Sequence, residues 1–182
     1  MAGPMLTRRR CLALLPSLVA TGCGYTLAGR GQYLPSYITA IAVPLFGNTT
    51  PIPQVDQIFT NKVRAEFQNR GQYSVVTSDS GADGLVKGTL TGLGTTPVAF
   101  TAAQLARRLR ITVVLAVSFE DLRQKKVLWE NPALSFSDEY ELASPGNLGA
   151  DAAAFIGQQS AVIDRLGDDF ARNVVTAILE AF

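Results

Sequence analysis

Cys23 is preceded by Ala20, Thr21 and Gly22, and a run of small residues into a cysteine is where bacterial cells attach lipid to a thiol. Upstream, Arg8, Arg9 and Arg10 form a positive region and Cys11 to Ala20 (CLALLPSLVA) a short apolar one. Residues 1–22 therefore read as a secretory signal peptide, too short to span a membrane as a helix. Its ending resembles a lipobox, with Ala20 where Leu, Val or Ile is usual and Val19 one step further out. Cys23 becomes the first mature residue and carries a covalent lipid. Several acyl chains on one cysteine hold firmly, since each buried methylene contributes about 0.8 kcal/mol. Gly24 follows the cysteine, and the absence of Asp there permits delivery to the outer membrane. The other reading of these residues is an ordinary cleaved signal with an incidental cysteine. Thr7 to Leu12 also partly matches a twin-arginine signal, with Cys11 where Phe is usual, so both export routes stay open.

Most other chemistry is excluded by subtraction. The 182 residues contain no histidine, which removes a histidine base and most zinc sites. Of the two cysteines, Cys11 leaves with the signal and Cys23 is lipidated, so neither a free thiol nor a disulfide is left. No phosphate-binding glycine loop is present. Gly88, Gly92 and Gly94 fit no such spacing and read as bulge or close-packing glycines. Asp168 and Asp169 are adjacent on a helix and diverge into solvent. The sequence thus points away from an enzyme and predicts no metal and no cofactor beyond the lipid on Cys23. The signal removes three of the 16 basic residues and none of the 15 acids, leaving net charge −2. Such a chain lacks the basic face that nucleic acid requires, so no nucleic-acid partner is expected.

The remaining residues must build one domain. Residues 23–36 read as a lipidated tether, rich in glycine and polar residues, and 37–182 as a single domain. Ile38 to Phe46 is an apolar β-branched run, with Pro44 marking an edge or a strand end, and Gly47 to Pro51 is turn chemistry. Gln54 to Asn69 places Val55, Ile58, Phe59, Val63 and Phe67 on one helical stripe, with Gly71 as its stop. Tyr73 to Val76 and Leu85 to Leu93 read as strands, separated by a Ser/Asp/Gly loop. Arg110 to Glu120 alternates cleanly, with Ile111, Val113, Leu115, Val117 and Phe119 on one face. Asp121 to Lys126 is a polar hairpin turn. Val127 to Glu130 starts another strand, which Asn131-Pro132 interrupts before Leu134 to Tyr140. The final helix starts at Asp151 and carries Phe155, Ile163, Leu166, Phe170, Val174, Ile178 and Phe182 on its stripe; Gly157 and Gly167 invite a kink. The expected fold is α+β: a two-layer, four- to five-stranded, mostly antiparallel mixed sheet packed against two helices, in the order β-α-β-β-β-β-α.

Cys23-Gly24-Tyr25-Thr26-Leu27-Ala28-Gly29-Arg30 resembles the mature start of the lipopolysaccharide-assembly lipoproteins, the LptE family. Leu34-Pro35, Ile41-Ala42-Val43-Pro44, Asn48-Thr49-Thr50, Leu128-Trp129-Glu130-Asn131-Pro132 and Tyr140-Glu141-Leu142 continue the resemblance in order along the chain. It implies a four-stranded sheet backed by two helices. It also implies a lipoprotein on the periplasmic face of the outer membrane, held in the inner leaflet by its lipid. Such a protein plugs and helps assemble a large β-barrel translocon and binds lipopolysaccharide during export. The family's ligand contacts are basic residues near loops at one end of the sheet. No residue-level binding motif carries over from the family; the basic candidates here are Arg107, Arg108 and Arg110 before the long strand, and Arg123, Lys125 and Lys126 in the hairpin turn. Arginine forks suit dianionic phosphate better than lysine point charges, which favours the first group. The bland alternative for both groups is a solvated strand end. Trp129 and the segment Thr96 to Phe100 are read as core or as contacts for acyl chains or a barrel wall. The competing reading is another periplasmic lipoprotein, such as a cell-wall-synthase activator or a secretion-channel component.

Overall fold

The alternation between Arg110 and Glu120 becomes the central strand of the computed structural model, which describes residues 34–70, 72–142 and 152–181. The elements in chain order are β1 (Ala40–Ala42), β2 (Gly47–Asn48), α1 (Val55–Asn69), β3 (Ser74–Val76), β4 (Gly84–Phe100), β5 (Ala106–Asp121), β6 (Lys126–Glu141) and α2 (Ala152–Glu180). In β5 the five apolar residues of the sequence pattern are buried, and those between them are half-buried on the other face. The strands form one mixed sheet in the order β3-β1-β4-β5-β6, with β2 joined to β4. β1 runs parallel to β3 and β4, and β2 parallel to β4. β4, β5 and β6 form an antiparallel meander. The fold is α+β, with a sheet of six strands, one of them only two residues long.

Several elements differ in extent from the sequence reading. The run Ile38 to Phe46 yields only three residues of strand, because the chain leaves β1 before Pro44. Gly47 and Asn48, read as a turn, instead pair with Thr89 and Leu90. β4 does not end at Leu93. It continues through Phe100, so the segment Thr96 to Phe100 is strand and not loop, held by pairing with β5 as far as Ala106. β6 runs unbroken through Pro132; the sheet tolerates that proline because β6 is an edge strand and the register shifts there, with Leu134 opposite Leu115 but Asn131 opposite Val117. Gly92 flanks a register shift as a bulge glycine should, whereas a side chain at Gly94 would meet nothing within 4 Å. Leu34, assigned by sequence to the tether, is buried in the core. Gly71, Asp151 and the side chain of Phe155 lie outside the described residues.

Helix α2 is continuous across Gly167, and a packing contact explains the residue. A Cβ there would lie 3.2 Å from Cγ of Lys62 and 3.6 Å from Ile58, so glycine lets the two helices approach closely. Lys62 then bridges Asp164 at 3.0 Å and Asp168 at 2.9 Å, while Asp169 pairs with Arg172. Asp168 is thus held by the neighbouring helix rather than simply solvated. In α1, Val55, Phe59, Val63 and Phe67 are buried as the stripe requires, and Ile58 is half-buried at its margin. Thr60 is buried as well; its hydroxyl donates to the Asp56 carbonyl and accepts from the Phe46 amide.

The layers meet on Phe170. Its ring lies edge-on to Phe59 at 5.2 Å, Phe136 at 5.6 Å and Phe46 at 6.4 Å, so it joins α2 to α1, to β6 and to the segment after β1. Phe46 fits only because residue 88 is glycine: a Cβ at Gly88 would sit 2.7 Å from the Phe46 ring. Truncating a fully buried phenylalanine at such a junction costs about 3–5 kcal/mol. Phe170→Ala is expected to lower the unfolding free energy by that amount in urea titration, with the slope unchanged. A loss below about 1 kcal/mol would show that the layers do not depend on this ring.

Candidate functional site

Strand geometry brings Arg108 and Arg110 to one face of β5, as the period of two predicts. The register sets Arg108 opposite Glu141 and Arg110 opposite Glu139 on β6. Arg110 binds Glu139 through Nη2 at 2.6 Å and Nε at 3.1 Å. Arg108 reaches Glu141 at 3.0 Å and Glu139 at 3.7 Å, and Arg107 approaches Glu141 at 3.9 Å. The hydrogen bond with Glu141 raises the Arg108 pKa, and the same bond, with the charge of Arg107, lowers that of Glu141. The arginine side chains remain 45–60% exposed. Three arginines against two glutamates leave one net positive charge, on flexible side chains held by exposed ion pairs. Such pairs contribute only about 0–1 kcal/mol each, so they compete weakly with an incoming dianion. The neighbouring end of the β4–β5 hairpin is apolar, with Val98, Phe100 and Leu105 exposed.

The second basic group does not stay together. Arg123 turns onto Asp83, with Nη2 at 2.6 Å and Nε at 2.8 Å from one carboxylate oxygen, and its guanidinium lies 5.5 Å from the centre of the Tyr37 ring. Lys125 occupies the left-handed position of the turn (φ 54°), and Lys126 opens β6 opposite Asp121. Cys23 lies outside the described residues. Trp129 is half-buried and packs against the core.

What the sequence reading missed is the buried acid pair beside that turn. The second oxygen of Asp83 accepts the amides of Thr39 and Ala40 at 2.9 and 3.1 Å and the Thr39 hydroxyl at 3.0 Å. Asp121 accepts the Tyr37 hydroxyl and the amides of Arg123 and Gln124 at 2.8 and 3.0 Å. Gln124 in turn donates to the Tyr37 oxygen at 2.8 Å. The amides of Thr39 and Ala40 hold the Asp83 carboxyl far below its ordinary range; burial opposes them, and Arg123 and the Thr39 hydroxyl assist. Burial also works against the Asp121 carboxylate, but its hydrogen bonds from Tyr37, Gln124 and Arg123 outweigh it, so its pKa is lowered too. Every acceptor in the group is served from within, so its work is to tie the start of β1 and β4 to the β5–β6 turn. The only sequence signals were single aspartates, one opening β4 and one closing β5.

A model of the lipopolysaccharide-assembly family, LptE, matches residues 38–178. Uncharacterized lipoprotein B from Nitrosomonas europaea superposes with a TM-score of 0.51 at 8% identity, over 82% of this chain and 90% of its own. The hypothetical protein CT253 from Chlamydia trachomatis gives 0.50 at 12% identity, over 77% and 97%. These two likenesses show the shared fold. No curated protein matches the sequence.

The acid pair gives the domain a defined response to acid. Asp83 ordinarily titrates near 3.8 and titrates lower when folded, so below that value the unfolded chain binds the extra proton. Its contribution is complete above about pH 5 and is lost as the pH falls through the folded value. Urea midpoints should therefore drop steadily below about pH 4. Asp83→Asn should lower the midpoint at neutral pH and flatten the acid slope without abolishing it, because Asp121 shifts in the same direction. An acid slope identical to the parent's would assign the response to other carboxylates.

Proposed function

Because this chain belongs to the LptE lipopolysaccharide-assembly family, we propose that it is an outer-membrane lipoprotein that partners a large β-barrel translocon and binds lipopolysaccharide during export. The family match carries the reading: it spans both long hairpins, α1 and nearly all of α2. In this reading Cys23 carries the lipid, anchors the chain in the inner leaflet from the periplasmic side, and leaves the domain free to occupy and help assemble the barrel. The protein works by binding, with no catalytic step, metal or cofactor. The family match favours this over a cell-wall-synthase activator or a secretion-channel component.

Arg107, Arg108 and Arg110 are the proposed lipopolysaccharide contacts. Lipid A phosphates are dianionic, and a guanidinium fork can leave a carboxylate for a phosphate at little cost when the original pair is exposed. Arg123 is the poorer candidate because it is committed to Asp83, which leaves Lys125 and Lys126 alone at that end.

Two measurements test the reading. Purification from outer membranes in mild detergent should yield a one-to-one complex with a large β-barrel; recovery only as a free monomer, with no barrel in crosslinks, would sink it. Arg108→Glu with Arg110→Glu should weaken lipopolysaccharide binding by about tenfold or more, and parent binding should fall with added salt. A second variant separates ligand from scaffold: adding Glu139→Arg and Glu141→Arg rebuilds the ion pairs and returns basic groups to the same face. Recovery of binding there supports the charge requirement, and unchanged binding in the first variant, with circular dichroism intact, rejects it.

A further inference from the structure

The arginine end of the sheet has an unusual charge balance. In the other ion pairs among the described residues each cation meets one carboxylate, as in Lys87–Glu120, Arg123–Asp83 and Arg165–Asp138, or two, as at Lys62. Among the described residues only Arg107, Arg108 and Arg110 outnumber their partners, three against Glu139 and Glu141.

The two glutamates are not equivalent. Glu141 accepts Nη2 of Arg108 at 3.0 Å and stands 3.9 Å from Arg107. Glu139 lies between Arg110 and Arg108. Its Oε1 accepts Nη2 and Nε of Arg110 at 2.6 and 3.1 Å. Its Oε2 faces Nη1 of Arg108 at 3.7 Å, beyond hydrogen-bond distance. The carboxylate therefore satisfies one guanidinium of the pair and leaves Nη1 of the other short of a bond. A phosphate monoester carries a charge of about −1.5 to −2 at neutral pH and offers three acceptor oxygens. Seated in place of the Glu139 carboxylate, it can bond both guanidinium groups while Arg108 keeps Glu141 on Nη2. No charge stands in the way from β4, where Thr96 lies opposite Arg110 and Ala99 opposite Arg108. The Glu139 side chain is 34% exposed, so water can receive it when it leaves.

We propose that Glu139 is a resident competitor in the lipopolysaccharide site: its carboxylate holds the seat between Arg108 and Arg110 in the free protein and swings into water when a phosphate group of the ligand takes that seat. The proposal rests on the lipopolysaccharide reading and adds the residue that sets its affinity. While the seat is empty of ligand, Glu139 holds two like charges together. Its removal frees the seat. Breaking an exposed pair of this kind costs a factor of about five at most, and repulsion between Glu139 and a dianion adds to it.

The test is the lipopolysaccharide affinity of the purified full chain at about 0.15 M salt. Glu139→Gln should bind about tenfold more tightly than the parent. Glu139→Asp keeps the charge but is one methylene shorter, so it should gain about threefold or more. Glu141→Gln removes an equal charge beside the seat without vacating it, and should gain at most about threefold. Lipopolysaccharide stripped of its lipid A phosphates should bind the parent and Glu139→Gln alike; a difference that survives stripping would overturn the proposal. Equal gains from Glu139→Gln and Glu141→Gln would reduce the effect to general charge and overturn it too. So would unchanged affinity in Glu139→Gln, and a lowered urea midpoint there would make the pair a structural clasp. Arg108→Glu with Arg110→Glu separates the two readings. Arginine-dependent binding that ignores Glu139 overturns this proposal alone, and binding that ignores the arginines overturns both.

Discussion

The hydrogen-bonded ladder between β4 and β5 runs from the pair Gly84–Asp121 to the pair Phe100–Ala106, and the other strands reach the sheet only through it. β1 and β2 attach to the first half of β4, and β6 follows β5 along nearly its whole length. The row Ile111, Val113, Leu115, Val117 and Phe119 belongs to one apolar core with both helices, in which α2 lies over β6 and β5 while α1 lies against α2, β2 and β3. A change of register by one residue in this ladder would turn that row towards water and the threonines and serines towards the helices. The short strands β1, β2 and β3 have too few bonds to set register for themselves and inherit it from β4.

The two ends of the ladder are held by different physics. At the Asp121 end, buried carboxylates accept backbone amides, a tyrosine hydroxyl and an arginine, and the loss of Tyr37 or Arg123 leaves a carboxylate oxygen unserved. At the Phe100 end, exposed arginines and glutamates pair in water, where each pair contributes little and can be exchanged. Stability is concentrated where the chain enters the domain, and adaptability where the hairpin ends.

What the sequence disclosed follows from the same contrast. β5 is legible because one of its faces is fully buried and the other is not, which imposes a strict period of two. The two helices are legible because each buries one apolar stripe in the common core. The outer half of β4 has no such signature: Gly94 to Val98 are exposed throughout, so nothing in the pattern separates strand from loop. The shared face of Arg108 and Arg110 could be read from their spacing, but their glutamate partners could not, because the bulge at Pro132 decides which β6 residues stand opposite them. The acid pair was hidden by distance along the chain: Arg123 lies 40 residues from Asp83, and Tyr37 lies 84 from Asp121.

The length of the β4–β5 hairpin sets a scale. From Asp121, which Tyr37 grips near the domain's entry, to Arg108 is thirteen residues, or about 43 Å of strand at 3.3 Å per residue. A bilayer with its head groups is about 40–45 Å thick. The antiparallel pairing of β4 with β5 thus holds Arg108 about one bilayer thickness from Asp121 with no moving part.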